Sequence, residues 1–217
     1  MTPVLTSAAG VTLIGGGAVT AADLAEALAL APTVAAADSG ADRALADGIM
    51  PQAVIGDLDS LSTAGRAAIP PDRLHHVPEQ ETTDFEKCLT RIAAPFVVAV
   101  GFTGSRADHL LACLTTLVRV PRPCLLLGGE DAIFAAPARL ALDLPPGTRL
   151  SLYPLGPVTG TSRGLRWPID GLTLDPARRT GTSNETTGPV ELALDGPCLV
   201  ILPRAQAAAA IQAITSA

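Results

Sequence analysis

The residues best equipped for chemistry in this sequence are acidic, and they gather in four short loops. Asp38-Ser39-Gly40-Ala41-Asp42 forms the first, and Gly56-Asp57-Leu58-Asp59-Ser60 the second. Glu79-Gln80-Glu81-Thr82-Thr83-Asp84 forms the third, and residues 101–109, which read G-F-T-G-S-R-A-D-H, the fourth. Hard divalent cations such as magnesium take oxygen ligands, commonly one or two carboxylates completed by waters and substrate phosphates. Asp57 and Asp59 stand two positions apart on one loop, so both can converge on one such ion together with Asp84 or Asp38. The plainer alternative is a turn and helix-cap region, which also favours Asp after a strand. For Asp84 the two readings balance. Thr83 and Glu86 match a capping box, which puts Asp84 at the first helical position, where the helix dipole favours a carboxylate. Ser105 and Asp108 fit a helix start in the same way. Arg106 opens that helix directly after a glycine-containing turn, where N–H groups already favour an anion and a forked guanidinium matches phosphate. A solvated arginine is the competing reading. His109 sits in the same loop, either bordering the site or packing against its own helix.

These loops require elements that bring them together. Apolar runs at 11–14, 33–37, 53–55, 74–77, 96–100 and 124–127 read as strands. Helical patterns lie between them at 21–30, 41–47, after Ser62, at 83–93 and at 106–118. The first helix is expected to start at Thr20 with Asp23 three residues on, and 83–93 carries Phe85, Cys88, Leu89 and Ile92 on one face. Strands that alternate with helices and are apolar throughout predict an α/β domain, a mainly parallel sheet with helices on both faces. In such sheets ligands bind beyond the carboxyl ends of the strands, and each acidic loop follows a strand. Gly15, Gly16 and Gly17 after the first strand also suit a close approach to phosphate. His75 and His76 read as surface residues on an edge strand.

The texture changes after about residue 135. Pro-Gly turns replace helical patterns, and short alternating runs appear at 149–153, 172–174, 190–194 and 198–202. These predict a C-terminal all-β sandwich over 136–217, following an α/β domain over 1–135. About eighty residues make a marginal core, so this part is expected to dock on something. The tail from 205 reads as a short helix or a frayed end. Trp167, the sole tryptophan, serves either as sandwich core or as a stacking surface for a flat, cationic ring. Thr182-Ser183-Asn184-Glu185 forms a polar run that fits a loop.

Composition narrows the function class. Of 217 residues, 48% are hydrophobic and 17% charged, which argues against disorder. The net charge is −6, with fourteen arginines and one lysine, Lys87, and no basic cluster dense enough for nucleic acid. An acidic protein that binds polyphosphate needs metal ions or backbone N–H groups to offset charge. No apolar run is long enough to span a bilayer, and the N-terminus has no basic flank of the kind a signal peptide carries. Cys88, Cys113, Cys124 and Cys198 form no C-x-x-C pair and read as buried thiols, so a cytosolic location is expected.

Taken together, the loops resemble a known family. Asp38-Ser39-Gly40-Ala41 resembles its D-x-G-A segment, and Gly56-Asp57-Leu58-Asp59-Ser60 matches G-D-x-D-S. The stretch 80–87 resembles D-Q-D-x-T-D-x-x-K, residues 101–109 resemble G-x-x-G-G-R-x-D-H, and Thr182-Ser183-Asn184-Glu185 resembles T-S-N-E. Five segments in the family's order, covering 38–185, are specific together where each alone is weak. The family is thiamine pyrophosphokinase. The resemblance implies an α/β catalytic domain, a β-sandwich and a homodimer with thiamine at the subunit interface. It implies magnesium as cofactor, with ATP and thiamine as substrates. By motif position Asp57, Asp59 and Asp84 would hold the metal and triphosphate, with Asp38 nearby and Arg106 in the catalytic set. Gln80, Arg106 and Asp108 would line the pocket, with Ser60, Thr83, Lys87 and His109 in the substrate-binding set. Trp167, Ser183 and Asn184 would contact thiamine. The sequence departs from the family pattern at Glu79 and Glu81, which stand where the motif has Asp, and at Ser105, which replaces a glycine. Alternatives are a diphosphokinase for a related alcohol such as a hydroxymethyl-pterin, a magnesium-dependent phosphohydrolase, or a non-catalytic sensor of thiamine or nucleotide. The T-S-N-E segment and the presence of every metal-assigned Asp favour the first reading.

Overall fold

In the computed structural model, which describes residues 2–104 and 106–216, the first strands and helices fall close to their expected places. They are β1 (Leu5–Thr6), β2 (Val11–Ile14), α1 (Ala21–Leu30), β3 (Thr33–Ala37), α2 (Gly40–Ala46), β4 (Ala53–Gly56), α3 (Thr63–Ala68) and β5 (Leu74–His76). There follow α4 (Asp84–Arg91), β6 (Ile92–Ala93), β7 (Val97–Val100), α5 (Ala107–Arg119) and β8 (Cys124–Gly128). The remainder holds β9 (Asp131–Ala135), β10 (Arg139–Leu142), β11 (Arg149–Pro154), β12 (Thr159–Leu165), β13 (Gly181–Asp195), β14 (Cys198–Pro203) and α6 (Ala207–Thr215). The chain is mixed α/β and divides into two units. One runs to Thr116 and includes Leu126–Gly128; the other comprises Leu117–Leu125 and the chain from Gly129 onward.

In the first unit every registered strand pair is parallel. β2 pairs with β7, β3 with β4, and β4 with β5, while β3 lies alongside β2. Strands β2, β4 and β7 are buried along their whole length, as a sheet covered on both faces requires. Local signals set the helix starts. Thr20 and Asp23 close the expected capping box: the Asp23 N–H donates to Thr20 Oγ1 at 3.1 Å and the Thr20 N–H to Asp23 Oδ2 at 2.8 Å. Ser62 caps α3, and Thr83 caps α4 by accepting the Glu86 N–H. Helix α4 ends two residues sooner than its pattern predicts, because Ile92 and Ala93 form β6 and pair in parallel with Leu5 and Thr6. His75 and His76 lie on edge strand β5, as expected.

The chain leaves β2 toward β3, β4 and β5, then returns to place β7 on the other side of β2. That reversal opens a crevice between the loops after β2 and β7, the place where parallel sheets hold ligands. Glycines allow these loops to touch. The Gly17 N–H donates to the Gly101 carbonyl at 2.9 Å, and a Cβ on Gly15 would come within 2.7 Å of that same oxygen.

The second unit is built on antiparallel pairs. β11 pairs with β13 and β14, and β14 with β9. β13 is long enough to serve twice. Its first residues pair with β11, and its later ones pair with β10 and β12. The polar run 182–185 therefore belongs to a strand and not to the loop its composition suggests. The expected strand at 172–174 reduces to a single bridge between Val158 and Leu174. The tail forms α6. Cys88, Cys113, Cys124 and Cys198 are buried, and no disulfide joins the described residues. No helix among the described residues is long and apolar enough to cross a membrane.

Candidate functional site

Leu58 explains how two aspartates come to face one way. Its side chain is buried with Ala36, Ala41, Val54, Leu61 and Ile69, and its carbonyl accepts a bond from Arg66 Nη2 at 2.7 Å. Its φ is +61°, a left-handed conformation that a leucine adopts only under restraint. With Leu58 anchored inward, Asp57 and Asp59 are presented on the other side of the turn. Asp38, at the end of β3, has φ +45° and is also left-handed. Among the described residues only Asp38, Leu58 and Ser183 combine a side chain with positive φ, and all three lie in the motif segments.

Carboxylate oxygens of Asp38, Asp57 and Asp59 lie within 4.8 Å of one another. Asp38 is buried, and its Oδ2 accepts the Ser60 N–H at 3.3 Å while its Oδ1 is buried with no hydrogen-bond partner. A buried, unpartnered carboxylate oxygen is costly. Burial raises the Asp38 pKa, the Ser60 N–H opposes that, and the charges of Asp84, Asp57 and Asp59 push it up further. An oxygen-only donor set with one oxygen left unsatisfied fits a hard divalent cation.

Asp84 is held differently from the other three. Lys87 Nζ donates to Asp84 Oδ1 at 3.0 Å and lies 3.7 Å from Asp57 Oδ2, with the lysine side chain only 2% exposed. Burial alone would lower the Lys87 pKa, but the bond and charge of Asp84, with Asp57 and Glu79, outweigh it and raise it. Asp84 nevertheless borders the same ground. A Cβ on Gly56 would lie 3.1 Å from Asp38 Cβ and 3.3 Å from Asp84 Oδ1. The grouped oxygens are thus those of Asp38, Asp57 and Asp59, with Asp84 reaching the cluster through the single lysine.

Gln80 orients Asp57, since its Nε2 donates to Asp57 Oδ2 at 3.0 Å; this bond is the chief cause of a lowered Asp57 pKa. Glu79 organises the loop that carries Gln80. It accepts the Glu81 and Thr82 N–H groups, each at 3.0 Å, and the Thr82 hydroxyl, which chiefly lowers its pKa. The longer arm at this departure from the family motif serves as a loop clasp.

These groups line a cleft of about 480 Å³ within the first unit. Of the sequence-predicted residues it gathers Asp38, Asp57, Ser60, Gln80, Thr83, Asp84, Lys87, Arg106 and His109. Asp59 belongs to the oxygen cluster. Asp108 faces Arg106 instead of the cleft: Arg106 Nε donates to Asp108 Oδ1 at 3.2 Å and Nη2 to Oδ2 at 2.6 Å, with both side chains well exposed. Ser105, beside them, lies outside the described residues. Sequence reasoning missed Ser39, Thr82, Phe85, Phe102 and Cys113 as lining residues. Phe85 and Phe102 meet at a tilt of 48° with 4.6 Å between ring centroids and form an apolar wall, a contact between α4 and the loop after β7 that no local pattern announces. Burial pushes the Cys113 thiol up to about 12, so it serves as lining and not as a nucleophile.

In the second unit Trp167 is 54% exposed, which removes the core reading. Its main chain is bonded to Asn184 through both N–H and carbonyl, and the Ser183 N–H donates to Ser151 Oγ at 2.9 Å.

Residues 24–125 match the family model for the thiamin pyrophosphokinase catalytic domain. The yeast thiamin pyrophosphokinase structure aligns with 17% identity and a TM-score of 0.75, covering 95% of this chain and 89% of that one. The Candida albicans thiamin pyrophosphokinase aligns with 13% identity and a TM-score of 0.75, covering 93% of each chain. A protein from Lactobacillus plantarum aligns with 25% identity and a TM-score of 0.74, covering 91% of this chain and 99% of that one. None of the curated proteins is significantly similar in sequence.

Proposed function

Because residues 24–125 match the thiamin pyrophosphokinase catalytic-domain model, we propose that this chain belongs to that family and transfers diphosphate from magnesium-ATP to the hydroxyl of thiamine, giving thiamine diphosphate and AMP. The observation that carries this reading is the unpartnered, buried Oδ1 of Asp38 beside Asp57 and Asp59. A site that retains three converging carboxylates, one of them unsatisfied, is built to receive a cation and what the cation brings.

Asp38, Asp57 and Asp59 would hold the ion, with Asp84 reaching it from the side of Lys87. When bound, a divalent ion draws charge from phosphate oxygens and stabilises a departing phosphate. The chain's own part is positioning. Gln80 keeps Asp57 ionised and oriented, and Lys87 offsets the charge that four clustered carboxylates would otherwise build up. The glycine loops after β2 and β7 let backbone N–H groups approach phosphate. Arg106, now on Asp108, would exchange that exposed carboxylate for a phosphate oxygen at small cost, since exposed ion pairs are weak. In-line attack by the thiamine hydroxyl on the β-phosphorus then needs alignment more than a dedicated base. Trp167, Ser183 and Asn184 would contact thiamine. The homodimer that the resemblance implies, with thiamine at the subunit interface, belongs to the same proposal, as does a cytoplasmic location.

The test is AMP release by the purified protein given magnesium-ATP, with and without thiamine. Thiamine-dependent AMP with matching thiamine diphosphate supports the reading. AMP with a pterin alcohol but not thiamine moves the substrate, and no AMP with either from folded protein overturns the enzymatic reading.

A further inference from the structure

The ring of Trp167 already carries a cation. The Arg166 guanidinium lies 5.0 Å from the ring centroid, and its Nη1 is 3.5 Å from Glu185 Oε2. The main chain beneath is fixed, since the Arg166 N–H donates to the Glu185 carbonyl at 2.8 Å and Asn184 bonds both sides of Trp167. The ring is therefore presented on a rigid base while more than half exposed, with a negative charge beside it.

We propose that Arg166 is a placeholder: it covers the face of Trp167 that a flat organic cation would use, and it must leave before such a ligand stacks. This deepens the reading of Trp167 as a thiamine contact and rests on it. The chemistry matches in kind, because guanidinium and thiazolium are both planar and cationic, and both are drawn to the indole face. The side chains of Arg166 and Glu185 are 57% and 42% exposed, so the cover is held weakly enough to be exchanged. An exposed cation–π contact alters an equilibrium roughly two- to fivefold, and Arg166 should weaken thiamine binding by that factor. Arg166 thus sets how readily the ring face is occupied and takes no part in the transfer itself.

The sole tryptophan makes the test direct. Arg166→Gln and wild-type full-length protein are compared by Trp167 emission, by acrylamide quenching without ligand, and by titration with thiamine. The expected result is greater quenching in the ligand-free variant and a thiamine Kd lower by roughly two- to fivefold. A thiamine-dependent change of emission with equal Kd in the two proteins, or a weaker Kd in the variant, overturns the placeholder while leaving Trp167 as a thiamine contact. Unchanged ligand-free quenching overturns it as well. If thiamine alters emission in neither protein, the assignment of Trp167 to thiamine fails, and the placeholder with it. Arg166→Lys separates a planar cover from charge alone: a Kd matching wild type with the quenching of Arg166→Gln would reduce the effect to charge and sink the proposal.

Discussion

One side chain, Asn184, replaces a strand partner for Trp167. The Trp167 N–H donates to Asn184 Oδ1 at 3.2 Å, and Asn184 Nδ2 donates to the Trp167 carbonyl at 2.7 Å. Asn184 is only 7% exposed, while the ring it supports is 54% exposed. A buried amide is thus spent on fixing an exposed aromatic, an arrangement that makes sense for a ring with a ligand to meet. Asn184→Ala removes three hydrogen bonds to main chain, those with the Trp167 N–H, the Trp167 carbonyl and the Glu185 N–H, and should cost about 1–3 kcal/mol. Steady-state kinetics should show a raised KM for thiamine with that for ATP unchanged. Equal effects on both substrates would contradict the assignment.

Asp57→Asn should cut thiamine-dependent AMP release by more than about a hundredfold, since even groups that only support metal ligands cost 10–100-fold when removed. Because Asp57 is near the surface and its contact with Lys87 is 3.7 Å, stability should change by less than about 1 kcal/mol. Near-normal turnover in this variant would end the metal role.

Asp38→Asn should act oppositely on stability and activity. The folded pKa of Asp38 lies above its ordinary value of 3.8, chiefly through burial, so the ionised form destabilises the fold. The variant should melt a few degrees higher at neutral pH and lose turnover. Its stability advantage is complete above the raised folded pKa and disappears as pH falls through that value toward 3.8, where wild-type Asp38 is protonated too. Melting curves between pH 3 and 7 would check the sign; an advantage that grows toward low pH would refute it.

Lys87→Met should cost about 2 kcal/mol, the scale of a charge-assisted bond made by a buried lysine. It should also raise the magnesium concentration needed for half-maximal activity, or lower it if Lys87 competes with the ion more than it positions Asp84. An unaltered magnesium dependence would mean that the pair is structural only.

Leu58→Ala removes the buried anchor of the Asp57–Asp59 turn and should destabilise by about 2–5 kcal/mol. Chemical denaturation measures this directly. Residual folded protein should show weaker metal activation, because the turn then lacks what holds φ positive at residue 58.

The sequence alone determined what depends on neighbours a few residues away. The Thr20–Asp23 capping box, the caps at Ser62 and Thr83, and the alternation of strands and helices in the first unit are local, encoded within one helical turn or one strand. The acidic loops could be placed at strand ends for the same reason, and most of the residues chosen there do line one cleft. What required the tertiary structure was every question of partnership between distant residues. Ile92 and Ala93 look helical until Leu5 and Thr6 offer a parallel strand. The polar run 182–185 looks like a loop until β11 pairs with it, because polar residues on a strand are legible only once the face they occupy is known. A lone tryptophan in a small sandwich usually packs in the core, yet Trp167 is exposed, because burial is a property of the packed chain, not of the residue. Which carboxylate keeps a lysine and which is left without a partner depended on Lys87 rising from α4 to meet Asp84 and Asp57, while Asp38 at the end of β3 satisfied only one of its oxygens. Spacing brings charges to the same loop ends; only their desolvation and pairing in three dimensions decides the role that each can take.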